Sequence, residues 1–453
     1  MKKINILWVD DEIELLRPYI IFLEEKGYVL ETASNGEEAI KKVLSHTFDL
    51  IFLDENMPGL TGLDTLNRIK FIFPNLPIIM ITKSEEENIM EEAIGSKIAD
   101  YLIKPVNPNQ ILLAIKKNID TKWLVDQKTT RTYQSEFSKI SMDISSAGSF
   151  EEWVDIYKKL VYWDLEIERS NEESVKEIME MQKQEANNAF SKYIQSSYKG
   201  WFTEKDANKP ILSPSLLKNK VFPLLENNQK MVFILIDNLR YDQWKTISSY
   251  VTDYMNIEQE EMYCSILPTA TQYARNAIFA GLMPFEIQKL YPHLWLEEDE
   301  DESKNMNEEE LLKIHLARLG KKVNYIYKKI NNLSFGKKVF DNFNNLLNHD
   351  FIVLVYNFID MLSHARTEIE MIRELTNNDS AYRSITQSWF RHSHLLDMIR
   401  MFSENNVKVV ITTDHGSIRV NNPVKVIGDR ETSTNLRYKQ GKTLSYNQKD
   451  VFA

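Results

Sequence analysis

Residues 4–12 read INILWVDDE. The first six of these are nearly all apolar and of strand length. A run with no polar face belongs to a strand covered on both sides, as in a parallel sheet. It halts at Asp10 and Asp11, and an apolar stretch this short after Lys2 and Lys3 excludes a signal peptide. The same pattern recurs at LETA near Leu30, DLIFLD (Asp49 to Asp54), PIIMIT (Pro77 to Thr82) and DYLI (Asp100 to Ile103). Helical spacing fills the gaps, from Ile13 to Lys26 and from Asn35 to Ser45. Alternation of this kind predicts a doubly wound α/β domain with its site outside the carboxyl ends of the strands. MVFILID (Met231 to Asp237), FIVLVYNFID (Phe351 to Asp360) and VKVVITTDHG (Val407 to Gly416) repeat it in the second half. The chain therefore reads as two α/β domains with parallel sheets, over residues 1–120 and 207–453, joined by an α-helical connector over 121–206.

Composition sets the limits. A chain of 453 residues asks for two to four domains. With 43% hydrophobic and 27% charged residues it can build cores, and 13 glycines with 13 prolines favour helix over disorder. The net charge of −11 argues against a nonspecific nucleic-acid or membrane coat. Much of it lies in residues 1–120, whose 13 basic and 20 acidic residues balance to −7. Cys264 is the one cysteine, so no intramolecular disulfide forms, and no apolar stretch of membrane-spanning length occurs. A cytoplasmic protein without a membrane span is expected.

In the N-terminal domain the chemistry sits where strands end. Asp10 and Asp11 follow the first, Asp54 ends the third, Thr82 the fourth, and Lys104 follows the fifth. Converging carboxylates repel unless a hard cation neutralises them, and an open oxygen-rich site suits Mg²⁺. A carboxylate beside that cation can accept a phosphoryl group, with Thr82 and Lys104 on its oxygens. Lys104-Pro105 is a candidate cis peptide. Singly, Asp10 or Asp11 reads as a helix cap and Lys104 as a solvated lysine; five residues in register at successive strand ends outweigh that. VDDE, LDENMPG, Thr82 and KP resemble the receiver domain of two-component response regulators, a flavodoxin-like fold. The resemblance implies that Asp54 accepts phosphate from a sensor histidine kinase. It also implies that Asp10, Asp11, Asp54 and the Asn56 carbonyl serve Mg²⁺, and that Tyr101 moves with Thr82 as the switch, with Lys104 on the phosphoryl group.

The connector has apolar residues at helical spacing, Trp153, Ile156, Tyr157, Leu160, Val161 and Trp163, read as core rather than a ligand box. Ser149-x-x-Glu152 and Ser170-x-x-Glu173 are capping-box patterns that start helices near 150 and 171. With a helix over Thr121 to Ile140 they predict a small bundle. No DNA-binding module is visible.

The second half carries Asp237, Thr271, Asp360, His364, Asp414 and His415 at or near the ends of apolar runs. Asp360 and His364, four apart, share one face of a helical turn, and Asp414-His415 stands in a turn freed by Gly416. Carboxylates with imidazoles suit Zn²⁺, and paired ions would polarise a phosphoryl group and activate a hydroxyl. Thr271, at the start of a helix, is the candidate hydroxyl. Singly each reads as a cap or turn former; the order in which they occur reverses that.

LIDNLRYDQW, PTATQYARNAIFAGLMP, ITTDHG and TSTNLRYKQGKTL resemble the PglZ-type branch of the alkaline phosphatase superfamily. The resemblance implies an alkaline-phosphatase-like fold with two zinc ions per complete domain. Asp237, Thr271, Asp414 and His415 would serve one ion and Asp360 with His364 the other. Thr271 would be the catalytic nucleophile, in preference to Thr269, with Arg275 and Asn276 facing phosphoryl oxygens. Arg437, with Lys439 and Lys442, reads as a substrate-binding contact or as an ordinary basic loop. The superfamily usually supplies a further histidine near its C-terminus, and none follows His415 here. The expectation is a truncated chain or a lineage loss, with the Asp360/His364 zinc incomplete and activity reduced. EEDEDE (Glu297 to Glu302) reads as a solvated loop, and Cys264, placed at a strand end, as buried.

Receiver and PglZ-type half together resemble the PglZ-containing response regulators associated with type IX protein secretion. The resemblance implies a phosphorylation-controlled, zinc-dependent phosphodiesterase acting on cyclic or linear oligonucleotides, and a homodimer. The alternative is a non-catalytic signalling protein whose phosphatase-like domain docks a sensor kinase or sigma factor.

Overall fold

The computed structural model describes residues 4–83, 98–169, 173–203, 209–227, 229–295, 305–376, 378–420, 422–433, 435 and 437–453. The acidic run Glu297–Glu302 and Ser170 of the second capping pattern lie outside them. By packing the chain forms two units, Met1–Glu136 with Ser170–Val175, and Phe137–Arg169 with Lys176–Ala453.

The first unit holds β1 (Asn5–Val9), α1 (Arg17–Glu25), β2 (Val29–Ala33), α2 (Gly36–Ser45), β3 (Leu50–Asp54), α3 (Gly62–Ile72), β4 (Ile78–Thr82), β5 (Asp100–Ile103) and α4 (Pro108–Ile115). The sheet is parallel throughout, in the order β2-β1-β3-β4-β5. The absence of a polar face in the strands has a direct cause. Leu7 and Val9 enter one core while Ile6 and Trp8 enter the other, so alternate residues are buried on opposite faces. Asn35 and Thr61 cap α2 and α3, and Asn107 with Gln110 forms a capping box on α4. Register then assembles the site. Val9 opposite Leu53 sets Asp10 beside Asp54, and Thr82 opposite Ile103 sets Lys104 one residue beyond.

In the connector α5 spans Thr121–Ser146, α6 Phe150–Glu168 and α7 Glu173–Ser197. The predicted Ser149–Glu152 capping box begins α6. Trp153, Ile156, Leu160, Val161 and Trp163 are buried as expected. Tyr157 departs from that stripe, being 40% exposed, and its ring lies 5.8 Å from that of Tyr241.

The second unit adds β6 (Met231–Ile236), α8 (Tyr241–Thr252), α9 (Thr271–Ala280), α10 (Glu308–Arg318), β7 (Tyr325–Ile330), α11 (Leu333–Asp341), β8 (Phe351–Tyr356), α12 (Phe358–Glu368), α13 (Asp379–His392), α14 (His394–Glu404) and β9 (Lys408–Thr412). Its sheet runs β7-β8-β6-β9, all parallel. Val232, Ile234 and Ile236 face one core and Met231, Phe233 and Leu235 the other, which makes this a second doubly wound sheet. One strand went unread and one sequence reading changes. β7, YIYKKI, carries lysines that an edge strand tolerates and a central one does not, so its apolar signal is weak. Cys264 sits in an isolated bridge to Leu212 rather than at a strand end; burial pushes its thiol up to about 12. No helix among the described residues is long and apolar enough to cross a membrane.

The C-terminus of α9 is clamped by α10. Gly281 caps α9 at φ 60°, and a Cβ there would meet His315 Nε2 at 2.2 Å. His315, 1% exposed, has Nδ1 3.1 Å from the Phe279 carbonyl. Burial, helped by the charge of Arg318, pulls its pKa down to about 4. The folded state therefore resists protonation that the unfolded chain accepts near 6.5. This stabilisation, about 3 kcal/mol, is fully present above pH 6.5 and is lost as pH falls toward 4. Chemical denaturation at several pH values is expected to show this slope in the native chain and a shallower one in His315→Asn; equal slopes would remove the assignment.

Candidate functional site

β6, β8 and β9 deliver the acidic residues to one end of the second sheet. Asp237 directly follows β6, Asp360 lies in the first turn of α12 just past β8, and Asp414-His415 follow β9. Asp237, Asp414 and His415 are buried, with ligand atoms all within 4.8 Å of one another, the one such group among the described residues. Two carboxylates and an imidazole at that spacing are a donor set that fits zinc. Thr271, first residue of α9, places Oγ1 3.0 Å from His415 Nε2 and 3.3 Å from Asp237 Oδ1. The Gly416 carbonyl 3.1 Å from His415 Nδ1 can only accept, so Nδ1 carries the proton and the Nε2 lone pair faces the cluster. The turn is pinned by Ser265 Oγ on the Asp414 carbonyl (2.8 Å) and by Tyr263 on that of Thr413 (2.6 Å).

Asp360 and His364 share one face of α12 as the spacing predicted, with Nε2 to Oδ2 at 3.4 Å. The hydrogen bond that His364 donates to Asp360 raises its pKa against partial burial and the charge of Arg437. Arg437, exposed, donates to the Thr269 carbonyl at 3.2 Å, two residues before Thr271.

Arg275 is a correction. Expected to face phosphoryl oxygens, it is fully buried, its guanidinium bound to Asp237 Oδ2, to Asp414 Oδ2 at 3.1 Å, to Glu308 at 3.3 Å and to Asn357 at 3.1 Å. It holds Asp237 through Oδ2, while Thr271 contacts Oδ1. Asn276, 3% exposed, is buried in α9 likewise. The charges around the two acids differ in effect. Burial pushes Asp237 well up, and the Arg275 charge only partly offsets it. For Asp414 burial is outweighed by the charge of His415 when that ring is protonated, by that of Arg275 and by the Asn238 N–H, which together hold it at about 2.

Several residues here went unread in the sequence. Asn238 donates its backbone N–H to Asp414 Oδ1 and its side chain to Asp360 Oδ1, both at 3.2 Å. Arg240 pairs with Asp242 (2.6 Å) and Asp379 (2.9 Å). Arg383, 4% exposed, joins Asp242 to Asp164 of α6, each at 2.9 Å. The packed charges of LIDNLRYDQW were the available signal, but their partners lie on helices over a hundred residues later. A cavity of about 570 Å³ runs along the outer edge of β9, and its lining includes none of the metal-ligand candidates.

In the first unit, Lys104 Nζ stands 2.8 Å from Asp10 Oδ2 and 2.7 Å from Asp54 Oδ1, and Lys104-Pro105 is cis. Burial raises the Asp54 pKa, with Lys104 opposing and the Asp10 charge adding. Asn56 donates its N–H to Asp54 Oδ2 at 3.0 Å. Tyr101 shares a hydrogen bond with buried Thr82, and burial raises its pKa. Asp11 is exposed, so the carboxylates are not drawn to the close spacing of the second unit's cluster.

Comparison with known proteins agrees with this division. Residues 216–453 match the family described as the BREX system PglZ alkaline phosphatase-like domain. Residues 123–202 match the PorX response regulator linker domain, and residues 6–116 the response regulator receiver domain. The chain thus has a receiver, a PorX-type linker and a PglZ-like domain in that order. Among curated proteins it is 38% identical over 112 residues to the transcriptional regulatory protein ResD of Bacillus subtilis, covering 25% of this chain and 46% of ResD. It is 30% identical over 139 residues to the transcriptional regulatory protein ZraR of Klebsiella oxytoca, covering 31% of each. The chain thus spans less than half the length of these relatives. The solved structure of the Vibrio cholerae chemotaxis protein CheY4 is 29% identical, covering 26% of this chain and 99% of that one, with a TM-score of 0.25.

Proposed function

We propose, from the premise that this chain belongs to the family of PglZ alkaline phosphatase-like domains, that it is a two-component response regulator with a zinc-dependent phosphodiesterase output. One observation carries the reading: the Thr271 hydroxyl, at a helix N-terminus, lies 3.0 Å from the His415 imidazole within a buried Asp–Asp–His cluster. The Thr271 oxygen attacks phosphorus and gives its proton to water, the P–O bond to the leaving group breaks with that alkoxide taking a proton from water, and a water molecule then hydrolyses the threonine ester, releasing the monoester and restoring the hydroxyl. Amides at the start of α9 favour the anion. Zinc held by Asp237, Asp414 and His415 would polarise the phosphoryl group and make the hydroxyl easier to deprotonate. Arg437, bound to the Thr269 carbonyl, supports an anionic substrate, and we favour cyclic or linear oligonucleotides. Release of an aryl alcohol from a generic phosphodiester by the zinc-loaded full chain is the test; no release would leave the docking role for a sensor kinase or sigma factor.

The receiver is the input. The Asp54 carboxylate takes the phosphoryl group from a sensor histidine kinase, after which Lys104 and Thr82 pair with phosphoryl oxygens and Tyr101 follows Thr82. Asp10, Asp11, Asp54 and the Asn56 carbonyl would hold Mg²⁺, which neutralises the charge brought together. Asp54→Ala is expected to abolish labelling by acetyl phosphate on a phosphate-affinity gel; a retained shift would move the acceptor elsewhere. By the resemblance of its receiver and PglZ-type motifs taken together, we place this output, as a homodimer, in the regulation of type IX protein secretion.

A further inference from the structure

Six charged side chains of the second unit close into a ring. Asp164 of α6 stands between Lys183 of α7 (3.3 Å) and Arg383 of α13 (2.9 Å). Asp242 of α8 stands between Arg383 (2.9 Å) and Arg240 (2.6 Å). Asp379 of α13 stands between Arg240 (2.9 Å) and Lys183 (3.9 Å). Anions and cations alternate, so displacing one member breaks two pairs. The side chains of Arg240, Asp242 and Arg383 are each no more than 10% exposed, which removes the screening that makes surface pairs weak. A buried network of this kind repays little beyond its own desolvation, and what it supplies is a fixed arrangement of the elements it joins.

The elements joined are the connector and the two turns that carry the acidic cluster. Asp164 and Lys183 belong to the connector, and Glu168 of α6 adds a contact to Arg383 at 2.5 Å. At the other end Arg240 is three residues past Asp237. A Cβ on Gly416 would meet its Cγ at 3.8 Å, so the stem of Arg240 rests on the turn that follows His415. One residue earlier the Leu239 N–H donates to Thr413 Oγ1 (3.0 Å), which donates in turn to the His415 carbonyl (2.7 Å). A guanidinium clamped between Asp242 and Asp379 therefore steadies both turns. We infer that this ring is the connector's grip on the site: α6 and α7, through Arg383 and Lys183, set the place of Arg240, and Arg240 positions Asp237 and His415. In chain order these helices separate the receiver from the PglZ-like half. A helix shift of about 1–2 Å, enough to open contacts of this length, would thus reach the cluster. The inference rests on the reading of Asp237, Asp414 and His415 as a zinc site.

Zinc affinity of the full chain, measured by competition with a chromophoric chelator, reads the cluster, and urea denaturation in chelator reads stability apart from it. Arg383→Lys keeps the charge, but a point charge cannot span the carboxylates of α6 and α8 as the planar fork does. Asp164→Asn removes the connector's charge and keeps its shape. Each is expected to weaken zinc about 10-fold. Both break one bridge, so the double variant should also lose about 10-fold, whereas independent sites would multiply to about 100-fold. Asp164→Glu restores a carboxylate and should recover most of the affinity. Asp164→Asn decides the matter if Arg383→Lys fails to fold. Native affinity in Asp164→Asn, whatever its stability, would overturn the inference and leave the zinc reading standing, as would losses that multiply. No zinc uptake by the native chain, or uptake indifferent to His415→Ala, would overturn that reading and the inference with it.

Discussion

Thr271→Ala should lower the turnover of an aryl phosphodiester by about 10³-fold or more while zinc content holds. Loss of a nucleophile removes the covalent route and leaves only what binding and charge stabilisation provide. The threonine is placed for this role by its position as first residue of α9, with Oγ1 3.0 Å from His415 Nε2 and 3.3 Å from Asp237 Oδ1. Thr271→Ser retains a hydroxyl and should recover most of the rate. Thr269 is the internal control: its carbonyl accepts from Arg437, a contact Thr269→Ala preserves. Equal rates in native chain and Thr271→Ala would sink the nucleophile assignment, whatever the zinc content.

Arg275→Met should cost about 3–5 kcal/mol of stability in chelator, because it strands buried carboxylates without their counter-charge. The guanidinium is fully buried against Asp237, Asp414 and Glu308. Zinc held by Asp237, Asp414 and His415 would supply positive charge to two of those three acids. The stabilisation gained on adding zinc, about 2.7 kcal/mol for a site at a hundred times its Kd, should therefore be larger in the variant than in the native chain. Urea denaturation with and without chelator measures both effects. A variant as stable as the native chain in chelator would show that Arg275 merely fills space.

These two residues mark the boundary of what was legible. Thr271 could be found because its signal is local: a threonine opening a helix after a short turn, in fixed order with Asp237, Asp414 and His415. Arg275, on the same helix one turn later, was read as a substrate contact. Nothing in its neighbours reveals that Glu308 and Asn357 arrive behind it, or that α9 turns this face into the core. Asn238 was passed over for a similar reason. An asparagine after a strand reads as a turn former, and its two acidic partners come from α12 and from the turn after β9.

By itself the sequence determined the two parallel sheets, the capped helix α6 and which strand ends carry acids. These are properties of periodicity and of single positions: a strand buried on both faces must be apolar throughout, and a capping box lies within four residues. Tertiary structure alone decided which of the gathered side chains face each other. Parallel register set Asp10 beside Asp54, the order β8-β6-β9 brought Asp360 and Asp414 to either side of Asp237, and the left-handed turn at Asn238 linked them. Contacts between residues a hundred positions apart depend on how elements pack, and packing free energy is a sum over the whole core that no local window of sequence contains.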